Sequence, residues 1–294
     1  MKTTLKLFTL LFMVTAFIGC NNDDDTPVPT EFNVTSIMPT SATPGTEVTI
    51  SGTDFPTNPA DISISFGGVA ATITSATSTQ ILTTVPAGAT SGEVSIVANG
   101  FTKTAPQSFS VLEELEVATF SNLFAPQNGG FGQGEISGPF TKFSFETGDV
   151  TDSDTDWDIA FRATTIAVNG GAVTGTNDEP ERNGNAGAAI ADNTFDDVLS
   201  ADGLTFAQDG TGAFAIPTGS DNGWYNYNFM TNVVSAIPGK ILVFRTRDGK
   251  YAKVEVLSYY EDAPANPDGF AAAPRYYTFS YVYNPNDGET SLAN

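Results

Sequence analysis

The chain has 294 residues, with 34 acidic against 12 basic side chains, no histidine and one cysteine. That length suggests about two domains, and the net charge of −22 repels nucleic acid and anionic lipid. Without histidine there is neither a Ser-His-Asp triad nor a histidine-based metal site, and a single cysteine forms no internal disulfide.

At the start, Lys2 and Lys6 precede the short apolar run KLFTLLFMVTAFI, which ends at Ile18 and is followed by Gly19 and Cys20. A basic start, a brief apolar core and a small residue predict a secretory signal over residues 1–19. The run is too short to cross roughly 30 Å of hydrocarbon. Cys20 directly after it resembles the lipid-bearing cysteine of a bacterial lipoprotein. Phe17 and Ile18 stand where that signal usually has leucine and a small residue. The following NNDDDTPVPT is charged and proline-containing, so residues 20–31 are expected to be a flexible tether. The acids after Cys20 resemble the surface-export signal of Bacteroidota lipoproteins. Removal of residues 1–19 takes two lysines and no acid, leaving 12 − 2 = 10 basic against 34 acidic side chains.

From residue 32 the texture is strand, turn, strand. VTSIMPTSATPGTEVTISGTDF alternates around Val48 and Ile50, with a turn at Pro44-Gly45. DISISFGG alternates strictly, TSTQILTTVPAGATSGEVSIVANG gives two more strands, and APQSFSVL closes the unit. Short strands about 8–12 residues apart predict a β-sandwich. These segments resemble the IPT/TIG immunoglobulin-like domain over residues 32–112. The resemblance implies a spacer or adhesive module without chemistry of its own.

After the acidic joint Glu113–Glu116 a second, larger all-β domain is expected over residues 113–294. Its strand signals are TKFSFETGDV, DWDIAFRATTIAV, KILVFRTRDGKYAKVEVLSYY and RYYTFSYVY. Arg247-Asp248-Gly249-Lys250 predicts a hairpin turn. Val254, Val256 and Tyr259 are expected on one face, with polar residues opposite. Tyr277, Phe279, Tyr281 and Tyr283 alternate and predict one buried row. Asn169–Asn185 is nearly free of apolar residues and predicts a long loop, and NTFDDVLSADGL has room for one helical turn.

The stretch NGWYNYNFMTN, Asn222–Asn232, carries the candidate site. On a strand Trp224, Asn226 and Asn228 face one way, and Tyr225, Tyr227 and Phe229 the other. One row packs the core; a row that includes Met230 would line a flat apolar cleft. Such a cleft suits a porphyrin, a flat apolar plate whose two carboxylates need a cation. Arg245 is the leading cation, on one strand face with Arg247; Lys142, Arg162, Arg182, Lys240, Lys250, Lys253 and Arg275 are others. Asp152, Asp154, Asp156 and Asp158 alternate like a calcium loop. They lack the glycine and glutamate that an EF-hand requires, so an acidic turn is expected. No nucleophile elbow or phosphate loop is present, and no enzyme activity is expected.

FSFETGDVTDSDTDWDIAF, NGG, GWYNYN and PGKILVFRTRDGKYAKVEVLSYY, followed by RYYTFSYVY, occur in that order over most of residues 117–285. Together they resemble the HmuY family of haem-binding lipoproteins. The resemblance implies an all-β fold, lipid attachment at the outer-membrane surface, and capture of haem b for a TonB-dependent receptor in iron acquisition. Family members hold the iron with two axial histidines or methionines, and here the chain departs from them. Its methionines are Met1, Met13, Met38 and Met230, so only Met230 falls in the second domain. Haem iron also accepts tyrosine, which leaves Met230 with a tyrosine, one ligand with water, or no axial ligand. Iron-free protoporphyrin needs none, and a homodimer would bring two Met230 side chains to one iron. The resemblance sets an axial ligand of the family near Asn232, whose amide is a poor iron ligand. The alternative function is an adhesive or glycan-binding surface module on the same scaffold, since exposed Trp and Tyr also stack on sugars.

Overall fold

The computed structural model describes residues 29–130 and 132–293. The expected signal segment and Cys20 lie outside the described residues, as does the tether before residue 29. The protein is all-β. Among the described residues the single helical element is one 3-10 turn, Pro59–Asp61, and NTFDDVLSADGL stays in turns.

The chain forms two compact units. Of the described residues, the first holds 29–40 and Glu47–Phe109. One of its sheets orders Asn33–Met38, Glu47–Thr53, Gln80–Thr84 and Ile73–Ala76; the other orders Val69–Ala71, Ile62–Phe66, Val94–Ala98 and Phe101–Thr104. All pairings within them are antiparallel. Alternation sends Val48, Ile50, Ile64, Phe66, Ile81 and Ile96 inward, all buried. The rings of Phe66 and Phe109 meet edge to face, 4.9 Å apart.

The second unit holds Ser41–Thr46 and Ser110–Asn294. Ser41–Ala42 pairs in parallel with Ser110–Val111. A five-stranded antiparallel sheet runs Glu116–Phe124, Pro274–Asn284, Tyr251–Tyr260, Lys240–Arg245, Gly187–Asp192. A four-stranded sheet runs Asp149–Thr151, Thr141–Ser144, Ile159–Arg162, Thr165–Val168. A separate hairpin pairs Tyr225–Asn228 with Val233–Ala236.

Tyr277, Phe279, Tyr281 and Tyr283 form the expected buried row. They join Phe143, Phe145, Phe161 and Trp224 in one aromatic core. Phe143 meets Phe279 edge to face at 5.3 Å, a geometry that aligns ring edge with ring face and adds to the area buried. Val254, Val256 and Tyr259 are buried as expected. The pairing shifts between Val256 and Ser258 and again before Tyr260. That bulge breaks the period of two, so the adjacent Tyr259 and Tyr260 are both buried.

The opposite face of this sheet is not polar as expected. Ile241 and Val243 pack there with Val198 and Leu292. Lys253 lies fully buried on that side, its Nζ donating to the carbonyls of Phe195 at 2.8 Å and Val198 at 3.1 Å. Burial lowers its pKa from the usual lysine value.

Asn169–Asn185 is a loop, as its composition predicts, but it is pinned by a buried polar network. Asp209 and Glu179 both accept from the Arg182 guanidinium, at 2.8 and 2.9 Å. Burial alone would raise the Glu179 carboxyl, but hydrogen bonds from the amides and hydroxyls of Thr174 and Thr176 outweigh it and hold the pKa at about 2.

Candidate functional site

The stretch Asn222–Asn232 divides where the hairpin begins. Trp224 is 1% exposed, its Nε1 donating to the Thr164 carbonyl at 3.0 Å and its ring 5.2 Å from that of Tyr277. Tyr225 is buried as well, and its hydroxyl accepts from Thr164 Oγ1 at 3.3 Å. The alternation drawn through Trp224 therefore fails: only Tyr225–Asn228 is strand. Gly223 before them lies so close to the Pro217 carbonyl that a Cβ would sit 2.3 Å from it. This turn delivers both aromatics into the core.

Beyond Tyr225 the hairpin leaves the core, and Tyr227 is 41% exposed. At the tip the Asn228 side-chain oxygen accepts from the amides of Met230, at 3.0 Å, and Thr231, at 3.3 Å. This Asx turn leaves Phe229 and Met230 81% and 76% exposed. Asn232 closes the loop at φ 55°, in the left-handed region that asparagine tolerates.

A second turn meets this tip. The Asp268 side chain accepts from the Phe270 amide at 3.0 Å, and the Asp268 carbonyl accepts from Ala271 and Ala272. Phe270 is thereby held 78% exposed. The two turns are tied through Asn232: its Nδ2 donates to the Gly269 carbonyl at 2.6 Å and its Oδ1 accepts from the Tyr227 hydroxyl at 2.8 Å. Gly269 fits there because it has no side chain, since a Cβ would meet the Thr231 and Asn232 carbonyls at 2.3 and 2.4 Å. An open cleft of about 310 Å³ lies between the turns, lined by Met230, Val233, Pro267, Gly269 and Phe270 among others. A second cleft of about 220 Å³ shares Pro267 and reaches Leu257, Tyr259 and Tyr260.

The structure thus brings Met230, Tyr227 and Asn232 together and sends Trp224 and Tyr225 to the core beneath. Arg245 does not join them. It pairs with Tyr251, while the hairpin docks at the far end of that same strand, where the Val234 amide donates to the Tyr260 hydroxyl at 3.0 Å. The ten-residue strand between spans roughly 30 Å. The Arg245 guanidinium donates instead to the Asn185 carbonyl at 2.9 Å. Arg247 lies past the end of the strand and does not share a face with Arg245; it binds Asp158 and Glu146. Arg275, next to Pro274 opposite Tyr260, is the cation at the hairpin end of the sheet, donating to the Gln127 carbonyl at 2.7 Å.

Burial raises the phenol pKa of Tyr259 and Tyr277. That disfavours the tyrosinate that would bind iron. The alternating acids serve the fold: Asp154 pairs with Lys142 at 3.0 Å, Asp156 accepts from Ser153 and Thr155, and Asp158 accepts from the amides of Phe145 and Arg247. Phe270 was not legible as a site residue. The one available signal was a lone large apolar side chain in the turn-rich stretch EDAPANPDGFAAAP.

Fold and site define an all-β, two-unit protein with an exposed apolar tip on its larger unit. Residues 139–281 match the family model described as HmuY protein, and residues 33–111 match the IPT/TIG domain. The chain therefore carries an IPT/TIG domain followed by a HmuY domain. Among solved structures it is similar to an apo HmuY analog from Tannerella forsythia, with 12% identity, 60% of this chain and 99% of that chain covered, and a TM-score of 0.39. An auxiliary nutrient binding protein from Bacteroides ovatus shares 13% identity over 89% of this chain and 85% of its own, with a TM-score of 0.28. One from Bacteroides thetaiotaomicron shares 12% identity over 76% of this chain, with a TM-score of 0.27. The chain spans about half the length of that last protein, 56%. No curated protein matches the chain.

Proposed function

We propose that this chain is a lipid-anchored surface protein, attached through Cys20, that binds haem or a related tetrapyrrole and hands it to an outer-membrane uptake receptor. The ring lies on the tips of the two tied turns, against Phe229, Met230 and Phe270. The observation that carries this reading is the exposure of these side chains, 81%, 76% and 78%, on turns held by side-chain hydrogen bonds. Exposed apolar groups clustered on a fixed scaffold mark a binding surface. The match of residues 139–281 to the HmuY model supports the same reading.

The residues present suit the ring better than the iron. Met230 supplies one thioether, an accepted axial ligand. The remaining contacts are apolar and serve protoporphyrin equally well. Binding and release follow from contact alone, with no bond made or broken in the ligand's carbon skeleton.

A haemin titration of the purified protein, followed by Soret absorbance in both iron redox states, tests the reading. A saturable shift that weakens in Met230→Ala is expected. A saturable shift unchanged in Met230→Ala would remove the methionine from the iron and leave the ring contacts. No saturable shift with haemin or protoporphyrin would overturn the function and favour the glycan-binding alternative.

A further inference from the structure

We propose that the free edge of strand Gly187–Asp192 is a docking site for an extended, basic peptide segment of a partner protein, which adds to the five-stranded sheet as a further strand. This inference is independent of the tetrapyrrole reading above and uses none of its residues.

Gly187–Asp192 is the outermost strand of that sheet and pairs along one side, with Lys240–Arg245. Its other side begins covered. The amides and carbonyls of Ala188 and Ala207 exchange hydrogen bonds at 2.8 and 2.9 Å, so Ala188 turns its backbone groups away from Lys240–Arg245. Backbone direction alternates along an antiparallel strand. The N–H and C=O of Ile190 therefore point the same way as those of Ala188, while Asn193 donates back to the Gly239 carbonyl at 3.0 Å. The covering chain then leaves the edge, with the Leu204 amide in a turn on the Ala201 carbonyl. Among the described residues no hydrogen bond reaches Ile190 on its open side. Natural sheet edges are blunted by proline, lysine or a bulge. The strand GAAIAD has none of these, and its register runs unbroken from Gly187 to Asp192.

Beside this edge lies an open cleft of about 460 Å³, lined by Ile190, Val198, Leu199 and Leu204, with Asp192 and Asp197 among its polar residues. Leu199 keeps 56% of its surface exposed. Alternate side chains of an added strand share one face, so an apolar side chain enters the cleft while the peptide backbone pairs with Ile190. The main-chain bonds supply affinity and the cleft supplies selectivity. Charge selects the occupant. Asp197 is exposed and Asp192 keeps 75% of its side chain in water, whereas Lys240 is already paired with Asp192 and Lys253 is buried. A second copy of the chain, at −22, is repelled from this edge, and lysine or arginine on a peptide is attracted to it.

Capped peptides of about seven residues, an ordinary strand length, test this by fluorescence anisotropy against the whole protein. They carry lysine at alternate positions and valine, isoleucine, leucine or phenylalanine between. Saturable binding is expected, and it should be lost when glutamate replaces the lysines. N-methylation of alternate amides should abolish binding in one register and spare it in the other, because one set of amides faces the strand. Ile190→Pro removes the outward N–H and leaves the pairing with Lys240–Arg245 in place, a change that edge strands tolerate; it should remove binding. Leu199→Ser should weaken binding roughly tenfold, as loss of one apolar contact does. If Ile190→Pro does not fold, the N-methylated peptides and Leu199→Ser decide the matter. No saturable binding by any lysine peptide overturns the proposal. Equal binding by the glutamate peptides, by both N-methylated registers, or by a folded Ile190→Pro also overturns it. A doubling of mass in sedimentation without peptide, abolished in Leu199→Ser, would give the edge to a second copy and overturn it too. Leu199→Ser should leave the haemin titration unchanged, so this proposal and the tetrapyrrole reading fail separately.

Discussion

The Asn232 amide nitrogen donates to the Gly269 carbonyl at 2.6 Å, which joins the tip of the 225–236 hairpin to the turn that carries Phe270. The same side chain accepts from Tyr227. One residue therefore sets the spacing between Met230 and Phe270, without itself reaching into the cleft between them.

Substitution at Gly269 tests that spacing. A Cβ there meets two backbone carbonyls at 2.3 and 2.4 Å, neither of which yields like a flexible side chain. Gly269→Ala is expected to lift the Phe270 turn from the hairpin and to cost about 1–3 kcal/mol, as overpacking does. Thermal unfolding and haemin affinity should both fall. Unchanged affinity would show that the turn spacing is not part of the site.

The tip side chains should separate binding from stability. Phe229 and Phe270 are largely in water, so Phe229→Ala and Phe270→Ala should shift stability by less than about 0.5 kcal/mol. An aromatic side chain stacked on a porphyrin contributes about 0.5–1.5 kcal/mol, so each truncation should weaken affinity by up to roughly tenfold. Denaturant melts and haemin titrations on the same samples check both halves of this expectation.

Trp224 should behave in the opposite way. It is buried and its indole donates to the Thr164 carbonyl. Trp224→Ala is expected to cost about 3–5 kcal/mol, visible as a large drop in the denaturation midpoint. Haemin affinity of the molecules still folded should change little, because the ring sits beneath the hairpin and not in the cleft.

Acid should loosen the 169–185 loop. Glu179 has its carboxyl held at about 2 against an ordinary 4.5. A depressed acid stabilises the fold above its unfolded value, and that stability is lost as the pH falls from 4.5 toward 2. Glu179→Gln should flatten this part of the pH–stability curve, measured by thermal melts across that window. An equally steep loss in the variant would assign the acid sensitivity to other carboxylates.

Much of the fold was legible because alternation is a local property. The row Tyr277 to Tyr283, the inward Val48 and Ile50, and the turn at Arg247–Lys250 all follow from period two and from glycine at φ 95° in Gly249. The failures share a cause. Lys253 reads as a solvated charge in sequence, but it lies under the 193–204 segment, which nothing local announces. Trp224 and Tyr225 are both buried because a turn delivers them, and a strand rule applied through a turn misassigns the faces. Arg245 looked close to the site through shared chemistry, yet the antiparallel register sets it at the far end of a long strand. Phe270 and Met230 line one cleft from turns far apart in the chain, a proximity that composition does not encode.

The account stands most directly on the three exposed tips. Haemin titration of the variant carrying Phe229→Ser, Met230→Ser and Phe270→Ser, beside the unaltered protein, is the decisive measurement. All three positions are largely solvated, so the variant should keep its unfolding midpoint and lose its saturable Soret shift. A variant that folds and still titrates like the unaltered protein would contradict the site.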